Sequence, residues 1–245
     1  LPELRKRVDE LPPDLEDLFD LMLAKISQRH KHQGAYLLRL CYESQRASRN
    51  PDCPALTDMR TLALALIDDS EISASSIGDL SMQDKIDLCT ILQGRLRSRC
   101  GGLLETQSRL GHVDDDNPGA LSEDDFLVGG NVVFMHRTVF EYLSDERVWE
   151  RDCLKVDSHG RTVATDLSTR DLYLMILYVF ELKREESIIA EIIQEQLSEV
   201  LRSGLFWVQM GDTKSQMSFF GQLAHFLNEL NSCRYKLQDE DLSFL

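Results

Sequence analysis

The 245-residue sequence predicts a mainly α protein: a winged-helix domain with a small β-hairpin wing, followed by a helical bundle. Three observations carry that expectation. Apolar residues recur at helical spacing over most of the chain. Two short stretches break this period, one at Leu103-Leu104 after a Gly-Gly and one at Asn131–His136, with an acidic tip between them. The second of these runs directly into a helix beginning at Arg137. Helix, hairpin and helix in that order make the back half of a winged-helix unit.

Taken in order, Pro12-Pro13-Asp14 opens the first helix, with proline in the first turn and acids at the positive end of the dipole. Leu15, Leu18, Phe19, Met22, Leu23 and Ile26 form its apolar stripe. A helix from about Lys31 to Ala47 turns Leu37, Leu40 and Cys41 inward. Pro51 and Pro54 break the chain, and a helix capped by Thr57 carries Met59, Leu62, Ala63 and Leu66 inward. Leu64, Ala65 and Ile67 make it apolar almost all round, hence deeply buried. Residues 68–80 read as a loop. Ser81-x-x-Asp84 begins a long helix to Cys100 with Ile86, Cys89, Leu92 and Leu96 inward, and Gly101 ends it in the left-handed conformation.

Beyond Leu143, Ser144-Asp145 recaps a helix with Val148 and Trp149, and Lys155 to Thr165 is a polar loop. Ser168 or Thr169 starts a helix that is apolar on every side through Leu172–Phe180. An amphipathic helix follows with Ile188, Ile189, Ile192, Ile193, Val200 and Leu201 inward, ended by Gly204. The last helix holds Phe219, Phe220, Leu223, Phe226, Leu227 and Leu230. Successive amphipathic helices with short loops suit a bundle or the beginning of a helical array.

Composition narrows the function. Hydrophobic residues at 42% and charged ones at 28% belong to a folded chain. A net charge of −15 disfavours non-specific nucleic-acid binding and anionic membrane surfaces, both of which need basic residues. The six cysteines are scattered without a C-x-x-C pair, as expected of reduced, mostly buried thiols in a cytoplasmic protein. No signal peptide is apparent, and the apolar run Leu172–Phe180 is too short to span a bilayer. The chain opens without methionine and in mid-pattern, as a segment of a longer protein would.

No phosphate loop, dinucleotide fingerprint, nucleophile elbow or H-E-x-x-H pattern occurs, so no catalytic residues and no metal site are expected. His30 and His32 are two apart and face different sides of a helix. The tip matches an EF-hand loop at Asp114, Asp116, Gly119 and Asp125, but Pro118 holds a ligand position and the flanks read as strands, so a solvated insertion is expected. Arg95, Arg97 and Arg99 crowd the end of the long helix. They suit either a nucleic-acid reader or cations stabilising a helix C-terminus. His136 ends a strand where a helix starts, and with Arg137 beside it could donate to a phosphate. The competing reading is a capping or packing histidine.

Four segments, in order, resemble the NACHT-type signal-transduction NTPases of the NOD-like receptor group, and more closely the large fungal proteins linked to heterokaryon incompatibility. Leu11-Pro-Pro-Asp-Leu-Glu-Asp-Leu-Phe-Asp-Leu-Met-Leu-Ala-Lys-Ile26 resembles the helix after their NTPase core. Leu56 through Leu66, Arg95-Leu-Arg-Ser-Arg-Cys-Gly-Gly-Leu-Leu-Glu105 and Phe134-Met-His-Arg-Thr-Val-Phe-Glu-Tyr-Leu143 resemble successive parts of their winged helix. Together they cover about the first 150 residues. The resemblance implies that residues 1–30 are a connector following the NTPase core, 31–154 the winged-helix-like domain and 155–245 a C-terminal helical domain. It implies that His136 contacts the β-phosphate of ADP held by the upstream core; the motif often continues with Asp, where this chain has Arg137.

The segment itself is then non-catalytic and holds no cofactor, with ADP or ATP bound only in the full-length protein. Its partners would be the upstream NACHT core and downstream repeat or helical domains, with no membrane contact. Two alternatives stay open. One is a winged-helix nucleic-acid binder using Arg95, Arg97 and Arg99. The other is a helical scaffold, which would leave an apolar patch exposed on the C-terminal helices.

Overall fold

The computed structural model describes residues 14–49, 58–69, 74–107, 127–155, 162–182 and 188–242, and their side chains except at 74–75, 181–182, 188–195 and 229–242. The chain is mainly helical, with one small two-stranded antiparallel sheet among the described residues. The elements are α1 (Leu15–Ala24), α2 (Lys31–Ser48), α3 (Thr61–Asp68), α4 (Met82–Arg99), β1 (Leu104–Gln107), β2 (Asn131–Phe134), α5 (Arg137–Leu143), α6 (Val163–Leu182), α7 (Ile188–Met210) and α8 (Thr213–Leu242). Three 3₁₀ turns, Gln28–His30, Ala74–Asp79 and Glu146–Glu150, join them. Two compact units result. One gathers α1, α2 as far as Arg46, Asp58–Ala65, and the chain from Asp84 through the hairpin and α5. The other gathers Leu66–Gln83 and the three C-terminal helices.

In the first unit α1 buries Phe19 and Leu23, with Ile26 just beyond it, while Leu15 at the head of the expected stripe is 53% exposed. The stripe therefore turns inward only from its second turn. α2 buries Leu37, Leu40 and Cys41 as their spacing requires. It approaches the end of α4 so closely that a Cβ on Gly34 would overlap the carbonyl oxygen of Arg99. Cys89, Leu92 and Leu96 are the buried face of α4. Gly101 (φ 62°) and Gly102 (φ 77°) then reverse the chain into β1, in a region of backbone space open to glycine at little cost. β1 and β2 pair from Leu104 opposite Phe134 to Gln107 opposite Asn131.

The helix expected from Thr57 begins instead at Thr61; Thr57 itself lies outside the described residues. Residues 58–60 stay outside the helix because the hairpin uses their backbone: Arg60 bridges Asn131, Val132 N–H donates to the Met59 carbonyl at 2.7 Å, and Thr61 N–H donates to Gly130 at 2.9 Å. Met59 is buried as expected, but from this edge segment rather than from a helix. β2 stops at Phe134, two residues short of expectation, and Asp145 caps a 3₁₀ turn in place of an α-helix by accepting from Arg147 N–H at 3.0 Å. The acidic tip with Asp114, Asp116, Gly119 and Asp125 lies outside the described residues.

In the second unit residues 68–80, expected to be loop, contain the 3₁₀ turn Ala74–Asp79, with Ile77 buried and Gly78 set against the Phe180 ring, where a Cβ would not fit. α6 starts at Val163 rather than Ser168, since the Thr162 hydroxyl accepts from Thr165 N–H at 3.2 Å and caps it earlier. Every residue from Leu172 to Tyr178 is buried, as its apolar run demands. α7 does not end at Gly204. It runs on to Met210, and Gly204 is a packing position: a Cβ there would sit 3.3 Å from the Asp171 Cβ and 3.4 Å from the Phe219 ring. Glycine inside a helix costs only about 1 kcal/mol, which the close packing at this position can offset. Val200 is buried but Leu201 is not, and the side chains of Ile188, Ile189, Ile192 and Ile193 lie outside the description. Along α8, capped by Asp212 accepting from Ser215 N–H at 2.8 Å, Phe219 and Phe226 are buried while Phe220 and Leu227 face outward.

Candidate functional site

His136 stands where β2 gives way to α5, in extended backbone (φ −154°, ψ 151°), and it is the N-cap of that helix. Its Nδ1 accepts from Thr138 N–H at 3.3 Å and lies 2.9 Å from the Thr138 hydroxyl. An Nδ1 that accepts from the backbone has no proton of its own, so a neutral imidazole carries its proton on Nε2. The ring is exposed. Capping and donation are therefore not competing roles for this residue: one nitrogen serves the helix and the other is a donor.

What holds the junction is aromatic packing. Val139, Phe140, Tyr142 and Leu143 are the buried residues of α5. The Phe140 ring sits 6.2 Å from Phe134 of β2 and 5.2 Å from Tyr42 of α2. Trp149 stacks 5.4 Å from Tyr42, donates its Nε1–H to the Leu143 carbonyl at 2.7 Å and lies under the Arg39 guanidinium at 4.5 Å. Arg137, by contrast, points outward and pairs with Glu141 at 3.5 Å, with 79% and 57% of the two side chains exposed. Such a pair contributes little energy.

Behind α5, Tyr142 donates to the Asp20 carboxylate of α1, and Arg151 pairs with Asp20 and donates to the Tyr142 hydroxyl at 2.9 Å. Burial, seconded by Cys153 and Glu16, pushes the Tyr142 phenol up. Tyr142 and Arg151 border a cavity of about 280 Å³ whose wall also includes Glu16, Phe19, Thr138, Glu141 and Asp145. Its carboxylates make it a poor seat for phosphate, so an anion reaching His136 would meet the solvent side of the ring.

Arg95, Arg97 and Arg99 do not share one face. Arg95 and Arg99 are one turn apart and half-buried, while the exposed Arg97 projects elsewhere. The leading half of α4 carries Asp84 and Asp87.

The second unit holds a polar cluster that sequence reasoning missed. Arg170, Asp171 and Ser203 are fully buried. Arg170 Nε donates to Asp171 Oδ1 at 2.7 Å, and Ser203 of α7 donates to Asp171 Oδ2 at 2.6 Å. One turn before Arg170, Asp166 is 5% exposed, and burial raises its carboxyl to about 6. Two adjacent charges directly before the apolar run from Leu172 were the signal. Of the cysteines, Cys41, Cys89 and Cys100 are buried free thiols and Cys153 is half-buried, while Cys53 and Cys233 lie outside the described side chains. Among the described residues no three His, Cys, Asp or Glu side chains group to hold a metal ion, and no helix is long and apolar enough to cross a membrane.

Residues 25–181 match the family described as Domain of unknown function (DUF7791). The chain belongs to that family. The match spans the hairpin, His136, the three arginines and the Arg170–Asp171 pair. Neither the curated proteins nor the solved structures contain a match.

Proposed function

We propose that this chain is a non-catalytic regulatory segment of a fungal NACHT-type NTPase, packing on an upstream nucleotide-binding core and coupling nucleotide state to activation. The observation that carries the reading is the place of His136 at the N-cap of α5, with Nδ1 turned to Thr138 and the ring exposed. Its Nδ1 is committed to Thr138 of α5 while the ring remains exposed, which leaves an Nε2–H donor for a phosphate oxygen supplied from another domain. The order of elements supports the winged-helix part of the proposal. A helix (α2), a non-helical edge segment at residues 58–60, two helices (α3, α4) and the β1–β2 hairpin follow one another, with Arg60 of the edge bridged to β2. Arg137 has a lesser part, since Glu141 already engages it.

Mechanistically, a donor fixed by the fold rewards the nucleotide state that places a phosphate against it, and so biases a two-state equilibrium. In the full-length protein, His136→Ala should speed ADP release about tenfold, the equivalent of one charge-assisted hydrogen bond. His136→Asn keeps a cap but displaces the donor, and should behave similarly. Unchanged ADP retention in both variants removes His136 from the mechanism. The nucleic-acid reading is disfavoured by the scattered arginines and the net charge of −15; a salt-dependent duplex shift lost on replacing Arg95, Arg97 and Arg99 would revive it.

A further inference from the structure

Two groups of one residue, Thr138, meet the same nitrogen of the His136 ring. The backbone N–H lies 3.3 Å from Nδ1 and the hydroxyl 2.9 Å from it. The first contact is available whatever side chain stands at 138, and it is at the long end for a hydrogen bond. The second is shorter and belongs to the threonine. A hydroxyl donates or accepts, so alone it would leave the tautomer of the ring open. The amide only donates. A ring proton on Nδ1 would oppose the amide hydrogen aimed at it, so the hydroxyl is left as a second donor and the ring proton stands on Nε2.

The place of Thr138 in α5 explains why its hydroxyl turns to the ring. Inside a helix a threonine hydroxyl commonly donates to the carbonyl four residues earlier. Thr90 does so to Ile86 at 2.8 Å, and Thr169 to Thr165 at 2.9 Å. Thr138 is the second residue of α5, and four residues before it stands Phe134, in β2. The helical partner is missing, and the ring of the N-cap takes its place. The side chain is also well held. Its β-branch stiffens χ1, it is half-buried and lines the cavity with Tyr142 and Asp145, and the buried Val139 and Phe140 follow it. The neighbouring charges are engaged with each other, Arg137 with Glu141.

From this we infer that Thr138 is the positioning residue of His136: its hydroxyl selects the Nε2–H tautomer and fixes which edge of the ring faces solvent. A histidine pinned in this way presents one donor in one direction, whereas an unpinned ring divides its population between two tautomers and several orientations. The use of that donor for a phosphate rests on the nucleotide reading above. The tautomer itself does not, since every group that sets it lies in this chain.

Imidazole ¹⁵N NMR of the 245-residue chain tests it, at about pH 8.5, above the ordinary imidazole range. His136→Gln identifies which of the six histidine signals belongs to this ring. In the parent chain Nε2 should show the shift of a protonated nitrogen and Nδ1 that of an acceptor. Thr138→Val keeps the β-branch and the amide but loses the hydroxyl. It should raise the ratio of the Nδ1–H to the Nε2–H form about fivefold, the equivalent of one neutral hydrogen bond. Thr138→Ser should restore the parent ratio. A parent ring protonated on Nδ1, a ratio unmoved by valine, or a serine chain that behaves like the valine one overturns the proposal. In the full-length protein, Thr138→Val should speed ADP release by up to about fivefold, and should add nothing in a His136→Ala background. An equal acceleration in that background also overturns the proposal, because Thr138 would then act without the ring. A tautomer ratio that moves as expected, with ADP release unchanged by His136→Ala and Thr138→Val alike, supports the positioning role and removes the nucleotide reading.

Discussion

The candidate site of the first unit and the polar cluster of the second are held in different ways. At the rim of the first, His136 caps α5 with its ring exposed, and the partly exposed Asp20 and Arg151 pair with each other beside the buried Tyr142. In the second, Arg170, Asp171 and Ser203 are fully enclosed between α6 and α7. A rim group can be removed at small cost to folding and so can be spent on recognition. An enclosed ion pair cannot, because each charge depends on the other to offset its lost hydration. The difference suggests where to look for signalling and where to look for stability.

The largest effect should come from breaking the enclosed pair. Arg170→Ala leaves Asp171 buried without its main counter-charge, and chemical denaturation should register a loss of about 3–5 kcal/mol. A loss under about 1 kcal/mol would mean that the cluster is solvated and that the contrast between the units is false.

Asp166 sharpens the same comparison from the other side. Its carboxyl titrates near 6 in the fold against 3.8 ordinarily, so the folded chain binds more protons than the unfolded one between those values. Stability from this group is fully present below pH 4 and is lost as pH rises through 6. Asp166→Asn should therefore stabilise the chain at pH 7 by roughly 2–3 kcal/mol and change little at pH 4. Equal effects at both pH values would show that burial of the charge is not the cause.

The smallest effect belongs to the rim. His136→Ala removes one exposed cap, and thermal unfolding should report a loss of about 1 kcal/mol or less. A much larger loss would make His136 chiefly structural and weaken its proposed part in nucleotide sensing.

The sequence alone determined what depends on local period and local chemistry. The spacing of Leu37, Leu40 and Cys41, of Cys89, Leu92 and Leu96, and the unbroken run from Leu172 placed the buried faces of three helices. Gly101 supplied the turn that its left-handed φ requires. The position of His136 at a strand-to-helix joint was also legible, because a short apolar, β-branched run ends there and a helical pattern begins at Arg137.

Tertiary structure decided the rest. Whether Gly204 ends a helix or admits Asp171 and Phe219 depends on neighbours distant in sequence. So does the non-helical path of residues 58–60, set by hydrogen bonds to the hairpin, and the choice of which phenylalanines of α8 face inward. The burial of Arg170 against Ser203, 33 residues away, belongs to the same class. Period and propensity act over a few residues, whereas close approach, enclosure and long-range pairing arise only when separate elements meet.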